Sequence, residues 1–351
     1  MIISSNSNPA VTIVVPAYNA ARFIGQTLDS INAQTFTDYE VIVVNDGSKD
    51  REELEQVLNS HPLPIIYISQ ENKGVSAARN AAIRIGKGEF YAQIDADDQW
   101  MPDYLEVQLG ILRDNPDVAA VYPNATIIGE DSDVELEFMK LSPSEGEVSF
   151  EALVREKCVV MTSVTARMSA IKKVGMYDEN LRSCEDFDLW LRIVKSGSRM
   201  TYHRRSLVRY RRHLGSLSSD RVWMTHHLVA VFEKCVRTLD LTAAEAEAVN
   251  EQMSHHRAML GLFEGKRALS AGGARAALVH FKKANEELRS SKLSLVVFFL
   301  RHAPFLVIWA FRARGRLMVQ PQTHLTGFDK PHADSFSESV GETGGSEYVV
   351  K

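Results

Sequence analysis

Apolar positions in the first third of the chain fall into two alternating rhythms. "VTIVVPAY" (11–18) is a continuous run rich in β-branched residues, as a strand buried on both faces requires. Behind it Phe23, Ile24, Leu28 and Ile31 recur at helical spacing, with Asn19 placed to cap the helix. "YEVIVVNDGS" is a second buried strand ending in a polar turn, and "REELEQVL" a helix. "PIIYIS" is a third strand, and "GVSAARNAAIRIG" an Ala-rich helix closed by Gly86. "GEFYAQI" follows as a strand, and "PDYLEVQLGILRD" as a helix with Pro102 at its start. Strand–helix alternation to about residue 122 predicts an α/β layer structure, a mostly parallel central sheet with helices on both faces. Ligands of such sheets bind at the carboxyl ends of the strands, so "NDGS" and "DADD" are expected to share one cleft.

The rhythm then changes. Residues 123–180 are less regular, with an acidic loop, "GEDSDVELEF", and an amphipathic segment, "SFEALVRE". After residue 222 only helical patterns remain, including a hairpin hinged at Gly272–Gly273 that resembles one tetratricopeptide unit without forming an array. "LSLVVFFLRHAPFLVIWAF" (293–311) is strongly apolar and precedes "RARGR", but Arg301, His302 and Pro304 interrupt it, which argues against a spanning helix. A helix lying in a membrane interface and a helix packed on its own protein both fit. The expected division is an α/β domain over 1–222, a helical region over 223–290, an apolar and basic amphipathic helix over 291–316, and a disordered Ser/Gly/Glu-rich tail over 317–351.

Composition removes some classes. A net charge of −5 lacks the basic footprint of a nucleic-acid binder. Cys158, Cys184 and Cys235 are odd in number and widely spaced, which suits a reducing compartment and offers no zinc or disulfide framework. The N-terminus has no basic region before its short apolar run, so no signal peptide is expected. The expected location is the cytoplasm, with peripheral contact at the cytoplasmic face of the membrane if 293–316 is interfacial.

Four clusters carry chemistry. In "IDADDQW", Asp95, Asp97 and Asp98 crowd behind a buried strand, where like charges losing hydration favour a compensating cation such as Mg²⁺ or Mn²⁺. An acidic surface turn is the plainer alternative. In "VVPAYN", Pro16 is expected to end the strand and leave backbone groups able to edge a flat base. Asp46 in "VNDGS" is either an acceptor for a base or ribose or an ordinary Asp-Gly turn residue. Arg79 in "NKGVSAARNAA" fits either neutralisation of the acidic cluster or contact with a ligand's phosphate or base, beside the plainer reading of a solvated helix arginine. In "SCEDFDLWLRI", Glu185 and Asp186 open a helix. Ser183 and Asp186 have capping-box spacing, and a carboxylate at a helix N-terminus is also kept ionised and able to accept a proton.

In order and spacing, "VTIVVPAYNAARFIGQTLDSI", "YEVIVVNDGSKD", "ENKGVSAARNAAIRIGKGEFYAQIDADDQWMPDYLE" and "CEDFDLWLRI" resemble a family 2 glycosyltransferase over Val11 to about Ser219. The resemblance implies a Rossmann-like GT-A fold and inverting transfer of a sugar from a nucleotide diphosphate, commonly a UDP-sugar, with a divalent metal. It implies that Pro16, Ala17 and Tyr18 line the nucleotide pocket, Asp46 binds the base and Arg79 flanks it. Asp95 lies toward the ribose and Asp97 binds the metal with help from Asp95 and Asp98, while Asp186, with Glu185 beside it, is the catalytic base. The QxxRW motif of processive members is absent. "RYRRHLGSLS" stands there instead, with Arg211 or His213 facing the pyrophosphate. The acceptor is expected to be a carbohydrate or lipid-linked hydroxyl of a surface polysaccharide or glycolipid. A nucleotide-dependent oxidoreductase would need a GxGxxG turn after the first strand, where "VPAYNA" has no glycine, and a P-loop enzyme would need GxxxxGK[ST]. A non-catalytic sugar-nucleotide-binding scaffold is the remaining rival.

Overall fold

The alternation of the first third becomes one half of a nine-stranded sheet. The computed structural model describes residues 8–129, 136–213 and 220–317. The expected disordered tail, apart from its first residue, lies outside them. Along the chain come β1 (Val11–Ala17), α1 (Ala21–Asn32), β2 (Tyr39–Asp46), α2 (Arg51–Ser60), β3 (Ile65–Gln70), α3 (Val75–Ile85) and β4 (Phe90–Gln93). Then follow β5 (Gln99–Trp100), α4 (Tyr104–Asp114), β6 (Val118–Gly129), β7 (Leu136–Glu137), α5 (Phe138–Leu141), α6 (Phe150–Val154), β8 (Thr165–Arg167), α7 (Met168–Lys173), α8 (Glu185–Lys195) and β9 (Arg199–Arg212). The helices α9 (Arg221–Thr238), α10 (Ala243–Ser270), α11 (Ala274–Leu288), α12 (Ser291–His302) and α13 (Pro304–Leu317) complete the described chain.

The sheet runs β3-β2-β1-β4-β8-β6-β9-β5, with β7 paired to β6. The first four strands are parallel, as the pattern predicts. Beyond them β8 is antiparallel to both β4 and β6, while β9 runs parallel to β6. That second half was hidden in the sequence, because β9, "RMTYHRRSLVRYRR", buries only Met200, Leu207 and Val208 fully. Pairing between β4 and β1 stops at Gln93 and Val14. The last residues of β1 and the turn after β4 therefore open into a cleft, with the end of β2 alongside.

Several local expectations are corrected. Pro16 does not end β1, which stays in register with Val44 at Pro16 and reaches Ala17. Asn19 does not cap α1; it adopts a left-handed φ of 52° and its Oδ1 accepts the Lys49 amide. The first amide of α1, at Ala21, is instead satisfied by Asp50 Oδ2 at 2.9 Å, from the neighbouring turn after β2. Pro102 precedes α4 outside the helix, whose flanking residue is Asp103. The single amphipathic helix expected over 291–316 is two helices, because Pro304 cannot continue α12 and starts α13.

Packing also moves the expected boundary at residue 222. Val231, Phe232 and Cys235 of α9 and Ala248 and Val249 of α10 belong to the same continuous apolar core as the sheet. A second small core forms only further on, around Leu269, Ala277, Phe281 and Leu300. The α10–α11 hairpin turns at the expected glycines, Gly272 taking a positive φ of 79°. Its helices approach closely because Gly265 leaves room for the Phe281 ring, which a Cβ there would meet at 2.4 Å. Among the described residues no helix is long and apolar enough to cross a membrane.

α9 is fastened to α8 by charge. Lys234 Nζ lies 2.6 Å from Asp188 Oδ1 and 2.7 Å from Asp178 Oδ2, while Arg192 Nη2 lies 2.6 Å from Asp188 Oδ2. Arg192 also donates to the Val174 and Met176 carbonyls, anchoring the approach to α8. Asp188 is 2% exposed, so its loss leaves two largely shielded cations facing each other. Asp188→Ala is expected to lower stability by about 3 kcal/mol in denaturant titration, the range for breaking a buried ion pair.

Candidate active site

The floor of the cleft is built by Asp46. Its Oδ1 accepts from Gln70 Nε2 (2.7 Å) and the Lys73 amide (2.9 Å), and its Oδ2 accepts the Gly74 amide (2.8 Å). The carboxylate thus holds the 70–74 loop against the end of β2. Gly47, at φ 72°, lies where a Cβ would meet the Asn72 amide nitrogen at 2.6 Å, so the Asp-Gly pair fixes both turn and contact. Arg182 Nη1 closes the far side by donating to the Lys73 carbonyl at 2.9 Å. Of the expected nucleotide-pocket residues, Ala17 is buried in β1, Pro16 is partly buried and Tyr18 stands exposed at the cleft edge.

Arg79 joins the two acidic motifs. It is 3% exposed on α3, donates from Nη1 to Glu185 Oε1 at 2.5 Å and from Nη2 to Asp95 Oδ1 at 2.9 Å, and lies over the Tyr177 ring. Of the alternatives for Arg79, this geometry is neutralisation. Burial alone would push its proton off, but the two carboxylates raise its pKa well above the ordinary arginine value.

The three carboxylates of "DADD" point to different work. Asp95 faces Arg79. Asp98 is fully buried, and its Oδ1 accepts the Arg211 amide at 2.8 Å. Burial, then the Asp97 and Asp95 charges, raise the Asp98 carboxyl well above the usual range, and its Oδ2 has no hydrogen-bond partner among the described residues. Asp97 is partly buried, as Asp95 is: its Oδ2 lies 3.0 Å from His213 Nε2, and burial followed by Asp95 raises its pKa. β9 brings His213 there, because Arg211 also donates from Nε to the Asp97 carbonyl and from Nη2 to Gln26 on α1. Phe23 of α1 packs under both, its ring 4.9 Å from that of His213.

Among the described residues no three His, Cys, Asp or Glu side chains converge as a ready-made cation cage. The Asp97–His213 pair offers a carboxylate oxygen and an imidazole nitrogen, a mixed donor set that fits Mn²⁺ better than Mg²⁺, which prefers oxygen alone.

At the start of α8 the expected capping box does not form. Cys184 occupies the left-handed region at φ 57°, and Ser183 Oγ turns away to Met224 Sδ. Among the described residues Asp186 accepts its neighbour's amide, from Phe187 at 2.7 Å, while Glu185 is taken by Arg79. Burial, then the Glu185 charge, push the Asp186 carboxyl up to about 6, against the pull of Arg79. The helix dipole therefore does not hold it in the ordinary aspartate range, yet at neutral pH it is mostly ionised. The sequence did not point to Arg182, Asp50 or Lys234, whose partners are distant in the chain.

Residues 12–173 match the model of glycosyl transferase family 2. An uncharacterized glycosyltransferase of Rickettsia typhi is 35% identical over 199 residues, covering 54% of this chain and 60% of that relative. The chondroitin synthase of Escherichia coli is 30% identical over 191 residues, 54% of this chain and 27% of that protein. The chain thus spans three fifths or less of the length of these relatives. Among solved structures, S. aureus TarS 1–349 in complex with UDP-GlcNAc superposes with a TM-score of 0.56 at 16% identity, over 80% of this chain and 91% of that one. The mannosyltransferase PcManGT from Pyrobaculum calidifontis, in complex with GDP-Man and Mn²⁺, gives 0.56 at 21%, over 89% and 88%. The fold is GT-A, with helices following it, as the sequence implied.

Asp46→Asn removes one charged acceptor from the 70–74 loop. Hydrogen exchange at the Lys73 and Gly74 amides is expected to accelerate by about tenfold or more, the value of a charge-assisted hydrogen bond, measured by mass spectrometry against the parent.

Proposed function

We propose that this chain, which carries a glycosyl transferase family 2 domain, transfers a sugar with inversion from a nucleotide diphosphate, by preference a UDP-sugar, to a carbohydrate or lipid-linked hydroxyl in surface polysaccharide or glycolipid synthesis at the cytoplasmic face of a membrane. The observation that carries the reading is the Arg79 bridge, which ties the turn after β4 to the first residue of α8. By linking Asp95 to Glu185, the neighbour of Asp186, it supports reading the donor-binding acids and the base as one site.

In this reading Tyr18, Ala17 and Pro16 edge the base. Asp46 holds the loop beneath it and has acceptor capacity left on Oδ2. Asp95, neutralised by Arg79, faces the ribose. Asp97 and His213 would hold a divalent ion such as Mn²⁺, and Asp98 stiffens the turn from below through the Arg211 amide. When bound, the metal offsets the charge that develops on the departing diphosphate. Asp186 takes the proton from the acceptor hydroxyl as that oxygen attacks the anomeric carbon. Glu185 cannot serve, since its carboxylate is spent on Arg79. One base and no second carboxylate bonded to the sugar give a single displacement, hence inversion, by the stereochemical logic of glycosidases.

Asp186 must be ionised to act, and its pKa lies near 6. The rate is therefore expected to be full above that value and to fall as pH drops through it. Asp186→Asn is expected to lower kcat by about 10² to 10⁴ and to remove that acid limb, leaving donor affinity near the parent's. A variant that keeps more than roughly a tenth of parental kcat moves the base elsewhere. The assay is release of nucleoside diphosphate from a panel of sugar nucleotides with Mn²⁺; a scaffold would bind donor and release none.

Asp97→Asn is expected to weaken Mn²⁺ binding by about tenfold or more in titration calorimetry with the nucleoside diphosphate present. In the parent, binding weakens as pH falls, because the proton competes for a carboxylate whose pKa is already raised.

A further inference from the structure

We infer that the elbow formed by α12 and α13 docks on an anionic lipid bilayer, lying in the headgroup layer without crossing it. The inference is independent of the transfer chemistry. Each helix packs one side inward: Leu293, Val296, Val297 and Leu300 of α12, and Val307, Ile308 and Phe311 of α13, meet the second small core. The opposite side is apolar too. Leu295, Phe298, Phe299 and His302 follow one another at positions i, i+3, i+4 and i+7 of α12 and are all exposed, and Phe305, Leu306 and Trp309 continue the band on α13. Phe305 is 68% and Trp309 70% exposed, values at which a large ring loses most of the benefit of folding. Six of the thirteen exposed large hydrophobic residues in the described chain fall between 295 and 309, a concentration that marks a contact surface rather than scatter.

Charge selects the occupant. From 289 to 317 the sequence holds Arg289, Lys292, Arg301, Arg312, Arg314 and Arg316 and no Asp or Glu, in a chain whose net charge is −5. Lys292, Arg301 and Arg312 are exposed beside the apolar band. A symmetric contact with a second copy would set these cations against their own equivalents without a carboxylate from the segment to answer them. Anionic headgroups answer all of them, while the aromatic rings enter the acyl boundary below. Length sets the depth: α12 has 12 residues and α13 has 14, about 18 and 21 Å at 1.5 Å per residue, short of a hydrocarbon core of about 30 Å.

The test is flotation of the full chain with vesicles of phosphatidylglycerol and phosphatidylcholine, and with phosphatidylcholine alone. Binding is expected to the mixed vesicles, to weaken with added salt, and to fall by roughly tenfold or more in Phe298→Ser/Trp309→Ser and in Arg301→Glu/Arg312→Glu. Circular dichroism and thermal unfolding check that both variants keep the fold, and the charge variant leaves the apolar band intact should the first fail to fold. No binding to mixed vesicles overturns the inference. So does equal binding to both vesicle types, or a parent that sediments as a dimer, ignores vesicles and becomes monomeric in either variant.

Discussion

A buried guanidinium between two carboxylates is the constraint on which the cleft depends. Arg79 leaves water almost completely, which is unfavourable unless opposite charge and hydrogen bonds replace the lost hydration. Asp95 and Glu185 provide both, and they come from segments about ninety residues apart. The loop after β4 and the first turn of α8 therefore cannot drift separately. That bridge also sets the electrostatics: it cancels much of the negative charge that would otherwise push the Asp186 carboxyl still higher.

The turn after β4 shows how one short acidic run supports several unlike roles. Asp95 is neutralised by the Arg79 guanidinium, Asp98 is buried and accepts the Arg211 amide, and Asp97 lies next to His213. The sequence presented these as one density of like charge. Their separation rests on where β9 and α3 arrive, which no local pattern records. Three acids can crowd together there because each finds a different partner.

The parallel half of the sheet was legible because its strands are continuous apolar runs and its helices carry clear stripes. The motif acids were legible because each stands at a strand or helix end. What stayed hidden has identifiable causes. β9 reads as a basic segment because its arginines find partners across the sheet and cleft rather than along the strand. The caps at Asn19 and Ser183 had the right residue types, but left-handed backbone at Asn19 and Cys184 turned both side chains elsewhere. Asp50, which satisfies α1 instead, lies in a different loop. The break at Pro304 was visible in the sequence, yet only the packed core shows that each half of the apolar segment keeps a second, uncovered side.

The fastening of α9 to α8 bears on how such chains can be recombined. A seam at residue 222 would look natural, since strands end there and helices begin. Yet Lys234 grips Asp188, Met224 receives both Ser183 and Cys184, and the core of the sheet runs on to Val249. α9 and the first half of α10 therefore belong to the same packed unit as the sheet. A recombined chain that kept this core whole would have to be joined beyond Met253, where the second core gathers around Leu262 and Leu269.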